Sequence, residues 1–193
     1  MKGKQRCHLD PDWHGMTYGD HCENRRARAL QNVSKNDVLL FWGLLWKTKK
    51  NGSDIWETRE KGWYLLGALR VELILKGGES TKQLPKALRD RASKNAHVWK
   101  GAVLKDGCQR VFVGNSRHSR RFSRPVDMEI GNDKGLLRRS IKATGGRLLQ
   151  WDKSPRWNSA LRSCRAVLET NEAAAKYLAR RIAKENPGLN LIG

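Results

Sequence analysis

The feature that most constrains the fold is a pair of apolar runs, Val38 to Trp46 (VLLFWGLLW) and Trp63 to Leu75 (WYLLGALRVELIL), separated by a polar stretch. The first is nine residues long and bounded by turn residues, which suits a strand buried on both faces. In the second, Trp63, Leu65, Gly67, Leu69, Val71, Leu73 and Leu75 recur at period two while Arg70 and Glu72 interrupt the other set, so one face belongs to a core. The sixteen residues between them, Lys47 to Gly62, are polar and include Asn51-Gly52; they predict an antiparallel hairpin with a long, mobile tip.

Weaker signals fill in the rest. Asp20 to Val33 predicts a short helix capped by Asp20, and Leu84 to Ser93 another, with Pro85 at its start. Arg110 to Gly114, Val126 to Ile130 and Leu161 to Leu168 read as strands, so five or six strands are expected. Asn171 to Glu185 is the clearest helix: Ala174, Leu178 and Ile182 share a face, and Asn186-Pro187-Gly188 stops it. Gly77-Gly78 and Gly145-Gly146 read as turns and not as a phosphate-binding loop. The whole is an α+β chain read as one domain over residues 1–193, with a core at 36–168, an N-terminal segment at 1–35 and a C-terminal helix at 171–186.

Charge narrows the partner. Thirty-nine Lys and Arg oppose nineteen Asp and Glu, a net charge of +20, spread from end to end. A surplus of that size favours a polyanion, because each neutralised phosphate releases counterions, and nucleic acid comes before an anionic membrane surface. The longest apolar run falls far short of the roughly 20 residues that cross a bilayer, and no apolar stretch follows Lys2, Lys4 and Arg6, so a soluble, cytoplasmic protein is expected. Cys7, Cys22, Cys108 and Cys164 lack paired spacing and are expected as reduced thiols.

Three constellations bear on chemistry. Cys7, His8, Asp10, Asp12, His14, His21 and Cys22 offer zinc-ligand types, but their spacing matches no standard finger and Asp10-Pro11 also reads as a turn with solvated histidines; no metal or cofactor is assigned. Asn95 to Lys100 (NAHVWK) sets Asn95, His97 and Trp99 together, as base-contacting groups or as a core indole beside a loop-capping histidine. Asn115 to Arg124 (NSRHSRRFSR) combines Asn115, Ser116, Arg117, His118, Arg120 and Arg121, whose hydroxyls and guanidinium forks suit phosphate oxygens. Eight Trp outnumber the three Tyr and three Phe, an inversion of the usual order of the aromatic residues.

The order Arg28-Ala29-Leu30, Asn36-Asp37-Val38-Leu39-Leu40-Phe41-Trp42, then Leu66-Gly67-Ala68-Leu69-Arg70-Val71 resembles the motif progression of EVE domains, relatives of YTH and ASCH domains in the PUA-like superfamily. His8-Leu9-Asp10-Pro11-Asp12 and Asn95-Ala96-His97 resemble a phage and bacterial group, the third of the families called nucleotide modification associated domains. The resemblance spans residues 8 to about 168. It implies a small, curved PUA-like β-barrel with flanking helices, whose pocket holds a flipped or single-stranded modified base between aromatic rings. Trp42, Trp46, Trp63 and Trp99 are the cage candidates. The family's usual Gly before the strand is Asn36 here, which tolerates turn geometry, and its usual Tyr is Trp42.

The leading expectation is a noncatalytic, DNA- or RNA-binding reader of a modified or flipped base. The alternatives are an enzyme acting on a nucleotide or base, with Asp10, His97 and His118 as acid and base, and a basic structural component of a ribonucleoprotein.

Overall fold

The structure is a computed structural model that describes residues 11–21, 28–51, 54–104, 107–127, 165–167 and 172–191. At 28–29, 44, 46–51, 54–63, 127, 165–167 and 172–178 it describes the backbone alone. The chain forms two compact units, residues 1–36 with 71–116 and residues 37–70 with 117–193. The fold is mostly antiparallel β with two α-helices among the described residues.

In the first unit β1 (Thr17–Asp20) pairs with β6 (Arg110–Gly114), which pairs with the end of β3 (Asp54–Lys76). A two-stranded ribbon, β4 (Val98–Trp99) and β5 (Ala102–Val103), and helix α1 (Lys86–Ala92) complete it. Pro85 is the N-cap of α1, its carbonyl accepting from Arg89 N at 2.9 Å. Leu75, Ala92, Val98, Val103, Val111 and Val113 form the core, with Leu73, Leu84 and Leu88 against it. Arg91 ties this unit together: its Nε donates to Gly15 O at 2.9 Å, its Nη2 to Gly114 O, and its Nη1 faces Glu72 at 3.5 Å.

In the second unit β2 (Val38–Asn51) is central, between β8 (Arg165–Val167) and β3, whose other edge takes β7 (Arg120–Asp127). Leu39, Leu40, Phe41 and Trp42 are all buried, as a strand covered on both faces requires. Leu65, Leu69 and Val71 are buried at the expected period on β3. Register shifts at Phe41/Trp42, Trp46/Thr48 and Leu65/Gly67 introduce the extra residues that bend strands. Helix α2 (Glu172–Glu185) buries Ile182.

Two expectations are corrected. The polar stretch from Lys47 to Gly62 is not a loop: β2 and β3 stay paired out to Asn51↔Asp54, leaving only residues 52 and 53 between them. The ladder is made by backbone groups and does not need apolar side chains. Asp20 ends a strand instead of capping a helix, and the only helix described nearby is a 3-10 turn, Arg28–Asn32. The main sheet has six strands among the described residues, within the five or six expected; β4 and β5 form a separate ribbon, too short to show a periodicity. Asn36 has φ +75°, the left-handed geometry in which Asn replaces Gly at least cost.

Candidate functional site

Two groups of the sequence-selected residues acquire a defined setting, one in each unit. In the first unit, Asn95 is buried and fully engaged. Its Nδ2 donates to Thr17 Oγ1 at 3.0 Å and its Oδ1 accepts from His97 N at 3.0 Å, a local turn that delivers His97 to the start of β4. The His97 ring lies on Gly19 of β1, where an added Cβ would fall 2.3 Å from His97 Cδ2 and 2.8 Å from Asn95 Oδ1. Glycine is required at position 19 for this close approach.

Gln109, also buried, fixes the ring. Its Nε2 lies 2.9 Å from Asp20 O and 2.9 Å from His97 Nδ1. A carbonyl can only accept, so the amide donates one hydrogen to it and directs the other at the ring. Nδ1 is then an acceptor, and the neutral imidazole carries its proton on Nε2. On the opposite face of β1, the Asp20 carboxylate accepts from Tyr18 Oη at 2.6 Å and from His21 N at 2.7 Å. The contact with Gln109 thus orients the ring and fixes its tautomer, as recognition of an acceptor atom or acid–base work requires.

Cys108 borders this cluster, with Sγ 4.0 Å from His21 Nε2. It is disulfide-bonded, which corrects the expectation of reduced thiols; the other three cysteines lie outside the described residues. Pairing of Asp20 with Arg110 places Cys108 beside the chain leaving β1, a proximity that cysteine spacing does not reveal.

In the second unit, the basic segment is divided. Residues from Arg120 onward belong to β7, so the exposed loop is shorter than expected. Ser119 is buried, its Oγ accepting from Arg70 N at 3.0 Å and donating to Arg70 O at 3.4 Å. His118 Nδ1 meets Asn190 O, and Arg120 Nη2 donates to Pro187 O at 3.1 Å. Asn186, buried after α2, accepts from Ser123 Oγ and Arg124 N, each at 3.2 Å, and donates to Arg124 O at 3.0 Å. The C-terminal residues thus hold one side of the segment, while Arg117 and Arg121 remain exposed. Asn115, half-buried, and Ser116, exposed, precede them at the end of the first unit.

The four cage candidates have different settings. Trp42 is buried in the core of the second unit, and Trp99 is exposed on β4 of the first. Trp46 stands opposite Lys61 and Trp63 opposite Leu44 in the hairpin, and their side chains lie outside the described residues. Asp10 does too; His97 and His118 belong to different units, each with its own partners. Of the zinc-type residues, Cys7, His8, Asp10 and Cys22 lie outside the described residues, while Asp12 closes a turn by accepting from His14 N at 3.0 Å. Among the described residues no group of three His, Cys, Asp or Glu is placed to hold a metal, and no helix is long and apolar enough to cross a membrane.

Gln109, Gly19, Asp20, Thr17 and Asn186 escaped selection from sequence. Their partners are remote: 78 residues separate Asn95 from Thr17, and 89 separate Gln109 from Asp20.

No significant match was found among curated proteins or solved structures. The family model described as nucleotide modification associated domain 3 matches residues 1–177, nearly the whole chain and both units in large part. With Asn95-Ala96-His97 inside that span, the chain belongs to the nucleotide modification associated domain 3 family, whose members are associated with nucleotide modification.

Proposed function

We propose that the protein is a noncatalytic nucleic-acid reader that recognises a modified or flipped base and grips the flanking phosphates with Arg117 and Arg121. One observation carries this reading: the segment from Arg117 into the start of β7, whose members His118, Arg120 and Arg124 are bonded to Asn190, Pro187 and Asn186, presents two exposed arginines in a chain of net charge +20. Guanidinium groups on an ordered segment lose little freedom on meeting phosphate, which favours binding. Base contacts are assigned separately in each unit, to Trp46 and Trp63 in the second and to Trp99 with Asn95 and His97 in the first; Trp42 is given to the core. In this proposal the antiparallel sheets are those of a PUA-like barrel, and the chain works as one domain, since β3 is continuous through both units.

The test is a panel of matched modified and unmodified oligonucleotides, single-stranded and duplex, titrated across salt. Replacing Arg117 and Arg121 by Ala is expected to flatten the slope of log K against log salt by up to about 0.9 per lost contact on duplex DNA. An unchanged slope overturns the phosphate grip, and equal affinity for modified and unmodified strands overturns base recognition in favour of a structural binder.

A second reading has one observation in its favour. The fixed tautomer of His97 is also what a base-modifying or hydrolysing enzyme would use. Under the reader assignment, modified oligonucleotides incubated with the protein emerge unchanged in mass; turnover abolished by His97→Ala would establish the enzyme instead.

A further inference from the structure

Among the described residues, two large hydrophobic side chains are exposed, Trp99 at 68% and Leu104 at 44%. Both belong to the β4–β5 ribbon. Val98↔Val103 is its inward pair and sits in the core, so Trp99↔Ala102 faces outward, and the bond from Leu104 N to His97 O at 3.0 Å continues the ladder by one pair. Opposite the indole stands Ala102, too small to cover it.

The ribbon is rigidly built. Lys100 and Gly101 form its two-residue turn with φ +49° and +77°, the signs that match the twist of paired strands. Gly101 O accepts from Thr81 N at 2.8 Å and from Thr81 Oγ1 at 3.0 Å, and Thr81 is itself buried. This fixes the indole's footing before any ligand arrives.

The surroundings are basic. From Lys76 to Leu104 the chain has seven Lys and Arg against two carboxylates. One of these, Asp90, is paired with Lys86 at 2.6 Å, and the other, Glu79, accepts from Lys76 N at 2.9 Å. Lys100 is exposed in the turn, and the stem of Lys82 runs alongside, with Cγ and Cε 3.7 Å from where a Cβ on Gly101 would be.

We propose that the outer face of this ribbon is a stacking platform for single-stranded nucleic acid, one base lying on Trp99 and the adjacent phosphates meeting Lys82 and Lys100. This rests on the nucleic-acid reading above and deepens it by naming the strand state and the first unit's own phosphate contacts for the base on Trp99. An indole offers a π-face, and only an unpaired base can offer one back, because a duplex buries its base faces and shows edges. A protein partner fits less well, since the apolar area is small and its rim is lysine, a residue depleted from protein interfaces.

Affinities of the full chain for a single-stranded oligonucleotide and its duplex, measured by fluorescence anisotropy at several salt concentrations, test the platform. Trp99→Ala is expected to weaken single-strand binding about 5- to 150-fold with the salt slope intact. Trp99→Phe should restore most of the loss, and duplex affinity should stay constant. The Lys82→Ala, Lys100→Ala pair should instead lower the single-strand slope by about 0.7 per lost contact. Unchanged single-strand affinity in Trp99→Ala, while Arg117→Ala and Arg121→Ala still flatten the slope, overturns the platform alone. Failure of the wild-type chain to bind either strand form overturns both readings. A dimer seen in sedimentation and dissolved by Trp99→Ala would give the indole to a second copy and overturn the platform.

Discussion

At Gly19 the imidazole of His97 occupies the volume a side chain would need. Gly19→Ala must therefore push His97 off its turn or shift β1, and overpacking of that kind costs about 1–3 kcal/mol. Thermal unfolding should register it, and the His97 ring resonances should move; a variant with unchanged melting temperature and resonances would contradict the packing. Asn95 and His97 stand out in the sequence because an amide, an imidazole and the Trp99 indole fall together, but Gly19 and Gln109 do not. Those contacts arise from β1 pairing with β6, a long-range event with no local signature. Asn36 shows the opposite case: a residue type tolerant of positive φ stood where the resembling family has Gly, and the backbone there has φ +75°. Trp99 was selected for its ring without any sign that it faces outward, since strands of two residues carry no periodicity to read.

Among the elements, those with apolar repetition were legible: β2, β3, β6 and α2 all fall where hydrophobic spacing puts them. The outer half of the β2–β3 hairpin was not, because its polar composition imitates a loop while its backbone groups pair across the ladder. The same difficulty hid the start of β7 inside an arginine-rich segment. Helix α2 was legible, but not what its end does. Asn186 makes three hydrogen bonds to β7 from a buried position, so Asn186→Ala leaves Arg124 N and O without their partner. A loss of about 1–3 kcal/mol is expected. Faster amide exchange should be confined to β7 and the last turn of α2; uniform change across both units would point to a different cause.

Over the whole molecule, the surplus of +20 sets two responses to salt in opposite directions. Like charges on a compact chain repel, so raising salt from about 50 mM to about 500 mM is expected to raise the melting temperature of the free protein as the Debye length falls. Over the same range nucleic-acid affinity should collapse as counterion release loses its advantage. A melting temperature that falls with salt would mean that attraction between charges outweighs repulsion. Finally, β3 gives its residues up to Arg70 to one unit and those from Val71 to the other. A cut there would remove no strand pairing, because β6 keeps Val71–Lys76 and β2 keeps its partners up to Arg70; but the chain passes between the units at 36/37, 70/71 and 116/117, so neither unit is one continuous segment. The two units are thus inseparable as inherited parts: recombination or truncation cannot trade one without breaking the other, and their tasks have to be told apart by single substitutions.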